Sequence, residues 1–128
     1  MSQDMTLLVW AVALALVQSV IAVLGAQLQV GLPALVGNRE NLPPITGWAD
    51  RAGRAHRNML ESLILFVALV LAAQVTGRAD ATTALGAELF FWARLVYVPV
   101  YIIGIPWVRT GVWAVSIVGL IMIFQRLV

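Results

Sequence analysis

The chain has 128 residues, of which 62% are hydrophobic and 11% are charged, and its mean hydropathy is +0.95. These proportions exclude an ordinary soluble domain and are typical of an all-α protein embedded in a membrane. The net charge of +2 comes from arginines that flank the apolar segments, which favours membrane topology over nucleic-acid binding. Because the chain has no cysteine, any thiol chemistry requires a thiol from outside it.

Four apolar segments are long enough to cross a hydrocarbon core of about 30 Å. We predict membrane spans at about residues 6–30, 55–75, 83–103 and 110–127, which together make one domain. The loop over residues 31–53 is rich in glycine and proline, whereas a short polar turn joins the second and third spans. Spans joined by so short a turn are antiparallel neighbours, and the predicted fold is therefore a four-helix membrane bundle.

The distribution of arginine predicts the orientation of this bundle, because cytoplasmic loops carry an excess of positive charge. One side of the predicted bundle has five arginines and the other side has two. We expect the arginine-rich side to be cytoplasmic and both termini to lie on the opposite side. The arginine-rich side carries Arg39, Arg51, Arg54, Arg57 and Arg109, and the other side carries Arg78 and Arg126.

The second span opens with a polar, arginine-dense run over residues 51–61. Arg51, Arg54, Asn58 and Glu61 share one helical face in this run, because they are separated by three, four and three residues. Polar groups that descend toward hydrocarbon usually face a bundle interior or a water-filled site, so the face is a candidate site. The arginines of the run have a second interpretation, in which they extend to lipid headgroups, and this remains open.

The third span contains a second polar face, formed by Arg94, Tyr97 and Tyr101. Arg94 lies several turns from either end of its span, where an unpaired guanidinium is strongly disfavoured. The sequence therefore predicts a structural ion pair between Arg94 and Glu61. The tyrosines belong either to the site or to the aromatic belt at the membrane interface. Glu88 points away from Arg94 and is a candidate for contact with a neighbouring helix or subunit.

Three motifs follow one another in a fixed order on this four-span chain. They are Arg-Ala-His-x-Asn-x-x-Glu at residues 54–61, Ala-Arg-x-x-Tyr-x-x-x-Tyr at 93–101 and Gly-x-Pro-x-x-Arg at 104–109. Together they resemble the MAPEG family, the membrane-associated proteins of eicosanoid and glutathione metabolism. The resemblance covers essentially the whole chain. It implies a homotrimer, here expected to be a bacterial inner-membrane member with periplasmic termini, that binds glutathione between neighbouring subunits near the cytoplasmic side.

The same resemblance implies roles for individual residues. Arg109 falls on the arginine that stabilises the glutathione thiolate for attack on a lipophilic electrophile or a lipid hydroperoxide. Ser62 follows the motif glutamate at a position where some synthases of the family have a tyrosine. No cluster of metal-binding residues accompanies the single histidine, so no metal site is predicted. The positions that the resemblance implies contact glutathione are Arg54, His56, Asn58, Glu61, Tyr97 and Tyr101.

The residue types also suit glutathione when they are considered without the family. Arginines bind carboxylates bidentately, a glutamate accepts hydrogen bonds from an ammonium, and amide and phenol groups complete the set. A thiol with a pKa of about 8.5 is mostly protonated at neutral pH, whereas a guanidinium and a helix N-terminus beside it favour the thiolate. Arg109 is predicted to supply both influences.

Two other classes of protein compete with this enzymatic interpretation. The first is a non-catalytic membrane protein that binds lipid or another small ligand, in which the buried charges serve helix packing. The second is a small multidrug exporter, which also has four helices. Such exporters resemble one another in a glutamate embedded in the first helix, whereas here the first span has no charged residue. Glutathione binding distinguishes the enzyme from the non-catalytic protein.

Overall fold

The computed structural model describes residues 1–128 and contains four long helices and one short helix. Each long helix is sufficiently long and apolar to cross a membrane. The structure therefore confirms the predicted all-α, four-helix membrane bundle. The helices are α1 (Gln3–Val30), the short α2 (Leu32–Val36), α3 (Gly47–Val75), α4 (Ala81–Ile103) and α5 (Pro106–Leu127).

Helices α3 and α4 form the central pair of the bundle. Each of them packs against the other and against both α1 and α5, whereas α1 and α5 do not touch. The chain reverses direction between successive long helices, so the start of α3 and the end of α4 lie at the same end of the bundle. This end carries most of the arginines, and it is where the predicted site residues lie.

The core between the central helices is built on aromatic stacking. The rings of Phe66 in α3 and Phe90 in α4 are stacked with centroids 4.2 Å apart, and both side chains are fully buried. Helix α1 covers this pair with small side chains, of which Ala11 is completely buried. Many large apolar side chains point outward from all four long helices, which is the pattern expected of a protein in contact with lipid.

Two glycines allow α4 and α5 to approach closely. A Cβ atom built on Gly86 would lie 2.6 Å from the carbonyl oxygen of Gly119, and one on Gly119 would lie 2.5 Å from the carbonyl oxygen of Gly86. Small residues at a helix crossing are a common means of packing helices in membranes, where no hydrophobic effect drives them together. The crossing brings the backbones together and fixes how α5 lies along α4.

The helix ends differ from the prediction at two places. The predicted loop over residues 31–53 contains α2, and α3 begins at Gly47, because Thr46 is the extended residue that precedes the first turn and the polar run itself is helical. The fourth span begins at Pro106, whose fixed φ angle suits the first turn of a helix. Arg109 therefore lies in the first turn of α5 and not in the loop before it.

The turn between α3 and α4 is held by Asp80. Its carboxylate accepts hydrogen bonds from the backbone N–H groups of Thr82 and Thr83, each at 3.0 Å, and so caps α4. It also accepts from Arg126 at the end of α5, with the NH2 nitrogen 2.6 Å from Oδ2. The backbone bond from Thr83, supported by Arg126, lowers the pKa of Asp80 below its usual value. Asp80 thus joins the start of α4 to the end of α5, opposite the arginine-rich end.

Candidate functional site

Four side chains form a continuous row that we call the arginine–tyrosine ladder: Arg94, Tyr97, Tyr101 and Arg109. The guanidinium carbon of Arg94 lies 4.9 Å from the centre of the Tyr97 ring. The Tyr97 and Tyr101 rings meet edge to face at 5.4 Å, and the Arg109 guanidinium carbon lies 4.8 Å from the centre of the Tyr101 ring. These distances are in the range of cation–π and aromatic contacts. The ladder connects the buried middle of α4 to the first turn of α5.

A cleft of about 270 Å³ opens beside this ladder, between α3, α4 and α5. Asn58 of α3 faces the ladder across it, and Trp113 of α5 closes one side. Trp113 is 41% exposed, so this side of the cleft lies at the surface of the subunit. The residues that line the cleft are Asn58, Tyr97, Tyr101, Arg109, Thr110 and Trp113.

The buried end of the ladder corrects the predicted ion pair. Arg94 is 1% exposed, and its NH1 group donates a hydrogen bond to Oδ1 of Asn58 at 2.6 Å. Glu61 forms no salt bridge and lies on the exposed surface. The reason is the rotation of α3 in the bundle. Glu61 lies three residues after Asn58, so at 100° per residue its side chain points about 60° away from that of Asn58 around the helix, outside the surface that contacts α4. The prediction of an Arg94–Glu61 pair is therefore wrong, and Asn58 is the partner.

Part of the Arg94 guanidinium has no hydrogen-bond acceptor within the protein. Its Nε and NH2 groups are buried without a hydrogen-bond partner, although the side chain also contacts the ring of Phe90 at 5.7 Å. Asn58 has committed its carbonyl oxygen to Arg94, which leaves its amide NH2 group available to a ligand in the cleft. Arg94 thus fixes the position of the Asn58 side chain, and the Asn58 amide NH2 group is the donor that faces the cleft.

Gln18 of α1 adds a third polar group at this depth. Its side chain is 2% exposed, and neither Oε1 nor Nε2 has a hydrogen-bond partner. It lies level with Asn58, because α1 and α3 run antiparallel in a register that is fixed near both ends. Gln18 was not among the predicted site residues. The sequence signal for it is an amide side chain within an apolar span. The contacts that fix the register are the bond from Gln74 Nε2 to Ser2 Oγ at 2.9 Å and the packing of Ala49 beside Gly25.

Three predicted site residues lie outside the cleft within one subunit. Arg54 is exposed, and its Nε lies 3.0 Å from Oδ2 of Asp50, one turn earlier on α3. It lines a separate groove of about 690 Å³ between α1, the loop after it and the start of α3. His56 is half-buried and Glu61 is exposed, and neither lines the cleft. The structure therefore brings Asn58, both tyrosines and Arg109 together in the cleft. The other three predicted residues lie on α3 outside it.

Arg51 lies on the predicted polar face of α3, but its contact with α4 was not predicted from the sequence. Its Nε donates to the backbone carbonyl of Ile102 at 2.7 Å, at the last turn of α4. The chain then turns at Gly104, whose φ of 91° is unfavourable for other residues, and the Arg51 side chain lies against this glycine. Arg51 thereby fastens the start of α3 to the turn that leads to Arg109. No periodicity within α3 or α4 could have indicated this contact.

The model of the MAPEG family matches residues 7–128, nearly the whole length. The chain belongs to the MAPEG family. No curated protein and no solved structure matches it. Membership and the four apolar helices together make it an integral, multi-pass membrane protein of the family concerned with glutathione and eicosanoid metabolism, in contact with membrane lipids.

Within this MAPEG protein the chemistry of the cleft is that of an anion site. A guanidinium, two phenol groups and one amide donor converge on it, and no carboxylate lines it. No group of three or more histidine, cysteine, aspartate or glutamate side chains is arranged to hold a metal ion. The cleft residues could hold an anionic or thiol-bearing ligand through hydrogen bonds and charge.

Proposed function

We propose that this protein is a glutathione-dependent transferase or peroxidase of the membrane, which activates glutathione as its thiolate. The observation that carries the proposal is the position of Arg109 in the first turn of α5, against Tyr101 and at the wall of the cleft. A guanidinium and the positive end of a helix dipole favour an anion at the same place. A thiol placed there loses its proton more readily than in water.

The size of the cleft indicates which part of glutathione it takes. Sites for small molecules usually enclose about 300–1,000 Å³. The cleft of about 270 Å³ lies just below that range, so it suits the cysteinyl end of the tripeptide and not the whole of it. Asn58 and Tyr97 are placed to bind the peptide portion next to the thiol, with Arg109 near the sulfur. The charged ends of the tripeptide then extend beyond the cleft.

The exposed polar residues of α3 suit those charged ends. Glutathione has two carboxylates and one ammonium, and Arg54 and Glu61 offer opposite charges on the surface of one subunit. His56 lies on another side of the same helix and is available to a neighbouring subunit's ligand. We therefore infer that the binding site is completed in a homotrimer, since one subunit does not enclose all of these residues. Light scattering of the protein in mild detergent tests this, and a monomer in every detergent contradicts it.

The thiolate is the attacking group in the proposed reaction. In the transferase reaction it forms a bond to an electrophilic carbon, and a leaving group such as chloride departs with the electrons of the bond that breaks. In the peroxidase reaction it attacks the terminal oxygen of a hydroperoxide, which breaks the O–O bond, converts the sulfur to a sulfenic acid and releases an alkoxide that takes a proton from water to become the alcohol. A second glutathione then reduces the oxidised sulfur, with release of water and glutathione disulfide. Arg109 stabilises the anion before attack, and Tyr97 and Tyr101 donate hydrogen bonds around it. The exposed Trp113 side of the cleft admits a lipophilic substrate directly from the bilayer.

We also propose the orientation that the arginine distribution predicts, with the cleft toward the cytoplasm in a bacterial inner membrane. The chain has no cysteine, so single cysteines can be introduced without background. Asn41→Cys in the loop after α2 should be protected from an impermeant maleimide in intact cells, whereas Gln125→Cys near the end of α5 should be labelled. Labelling of Asn41→Cys alone contradicts the orientation.

Binding and turnover by the purified protein test the enzymatic proposal. Calorimetry should detect glutathione binding, and the protein should turn over 1-chloro-2,4-dinitrobenzene or cumene hydroperoxide with glutathione as co-substrate. Ophthalmic acid, in which a methyl group replaces the thiol, is the matched ligand and should bind without reaction. If glutathione does not bind at any accessible concentration, the proposal is wrong.

One observation favours the non-catalytic alternative. The groove of about 690 Å³ is lined mainly by apolar residues, and also by three arginines, Arg39, Arg54 and Arg57, and one carboxylate, Asp50. An apolar surface with arginines at its edge suits an anionic lipid. If the protein retains anionic phospholipid through purification and binds no glutathione, this second function takes the place of the first.

A further inference from the structure

A second groove lies between α1 and α4, and its mouth is at the opposite end of the bundle from the cleft. Its volume is about 480 Å³. The mouth of the groove is at Gln3, in the first turn of α1, and the inner part is apolar. Its principal lining residues are Gln3, Trp10, Glu88, Phe91, Trp92 and Leu95.

The carboxylate of Glu88 is held in this groove by two uncharged donors. Gln3 Nε2 donates to Oε1 at 2.5 Å, and the indole N–H of Trp92 donates to Oε2 at 2.7 Å. Both carboxylate oxygens therefore accept hydrogen bonds from neutral groups. Glu88 forms no salt bridge, so its negative charge is held in place without being neutralised.

No cationic side chain at this end of the bundle is available to Glu88. Arg126 is bound to Asp80, and Arg78 donates its NH1 group to the carbonyl oxygen of Leu127 at 2.6 Å. The amino terminus of Met1 lies at the mouth of the groove, outside salt-bridge distance of Glu88. An uncompensated carboxylate beside hydrocarbon is costly, which favours a cation from outside the chain.

Aromatic rings surround this charge. Trp10 and Trp92 are 59% and 54% exposed, and the Phe91 and Trp92 rings meet edge to face at 5.2 Å. The face of an aromatic ring attracts cations, most strongly when the ring is an indole, and an ammonium binds readily where rings and a carboxylate meet. The apolar surface toward Leu95 continues inward from Glu88 and offers space to an alkyl chain.

We propose that this groove binds amphiphilic cations, with an ammonium or quaternary ammonium head at Glu88 and an apolar tail along Trp10 and Leu95. A zwitterionic phospholipid is the poorer match, because its phosphate would lie near Glu88 with no cationic side chain in the groove to receive it. The proposal does not depend on the glutathione chemistry, since the groove and the cleft share no residue and open at opposite ends of the bundle.

The test uses 12-bromododecyltrimethylammonium, whose bromine quenches nearby tryptophan, added to the purified protein in dodecyl maltoside. Quenching of Trp10 and Trp92 should saturate, and the Trp10→Phe and Trp92→Phe variants identify their contributions. Glu88→Gln preserves the shape of the side chain and should weaken binding by roughly tenfold or more, because a charge-assisted contact is lost. Glu40→Gln removes the same charge from an exposed loop and should bind as the parent does.

A second variant supports the test if Glu88→Gln does not fold. Gln3→Lys leaves Glu88 in place, supplies it with a cation from an exposed position and should abolish binding of the probe. Equal affinity of the parent, Glu88→Gln and Gln3→Lys would overturn the proposal, since the probe would then only partition into micelles. Tighter binding of phosphatidylethanolamine than of the probe, if it depends on Glu88, would assign the groove to lipid and overturn the proposal. Loss of oligomers in Glu88→Gln, if the parent does not bind the probe, would assign the groove to a subunit contact and also overturn it.

Discussion

The guanidinium carbon of Arg109 lies 4.8 Å from the centre of the Tyr101 ring, where the first turn of α5 meets the last turns of α4. This contact holds a long and flexible side chain over an aromatic surface, with its charge beside the cleft. It also makes the position of Arg109 depend on the turn between α4 and α5. The predictions below follow from this dependence and from the packing that supports it.

The partner of Arg94 is open to a direct test of stability. Asn58→Leu should lower the free energy of unfolding by about 2 kcal/mol, because it removes the single hydrogen bond of a buried cation. Glu61→Gln should leave the melting temperature unchanged, since Glu61 is exposed and unpaired with Arg94. Thermal melts followed by circular dichroism in detergent compare the two. A loss of stability in Glu61→Gln and none in Asn58→Leu would restore the ion pair that the sequence suggested.

The crossing of α4 and α5 should tolerate no side chain at Gly86. Gly86→Ala places a Cβ 2.6 Å from the backbone oxygen of Gly119, so the helices must move apart at a cost of about 2 kcal/mol or more. Gly111→Ala is the matched control in α5, because a Cβ there meets nothing within 4 Å. It should raise the free energy of unfolding by about 0.5–1 kcal/mol. Equal melting temperatures of the two variants would mean that the helices do not cross as described.

Arg51 should act as a positioning residue for Arg109. Arg51→Gln removes the charged donor to the Ile102 carbonyl and loosens the turn before α5. We expect kcat to fall roughly tenfold while KM for glutathione changes little, because a small displacement at the reacting atoms reduces rate more than binding. Arg51→Lys should recover part of kcat. If Arg51→Gln lowers only the melting temperature and leaves kcat unchanged, the side chain serves stability alone.

The pH dependence of stability should reveal Asp80. Its lowered pKa means that the folded state favours the ionised carboxylate, so this contribution is present above the unfolded pKa of 3.8 and is lost as the pH falls through the lower, folded value. Asp80→Asn should therefore melt below the parent at pH 7, and the gap should close in acid below pH 3.8. Asp50→Asn, in an exposed pair with Arg54, should show little difference at any pH. A gap for Asp80→Asn that persists unchanged in acid contradicts the assignment.

The sequence was sufficient for the spans and for much of the ladder. Hydropathy is enough to place four helices, and spacings of three and four residues put Arg94, Tyr97 and Tyr101 on one face. The partner of Arg94 could not be predicted in this way, because Asn58 and Glu61 are only about 60° apart on a helical wheel. The choice between them depends on how far α3 is rotated in the bundle, which periodicity within one helix does not contain.

The start of α5 and the contact of Arg51 show a second limit. Proline at residue 106 fits equally well as the end of a loop and as the first residue of a helix, and the structure uses it as the latter. The bond from Arg51 to the Ile102 carbonyl joins residues 51 positions apart in the chain, and it uses a backbone acceptor that every residue possesses. When a side chain binds a backbone carbonyl, the residue type of its partner gives no signal of the contact in the sequence.

The central claim is that Arg109 stabilises a thiolate, and the thiolate absorbance of bound glutathione in the ultraviolet measures this directly. In the parent the absorbance should appear at a pH well below the thiol pKa of about 8.5. In Arg109→Ala the midpoint should move back toward that value, and turnover should fall on the order of a hundredfold, whereas glutathione should still bind. Arg78→Ala, at the other end of the bundle, is the control and should behave as the parent. If Arg109→Ala retains the parent's midpoint and the parent's rate, Arg109 is a structural arginine and the proposed chemistry is contradicted.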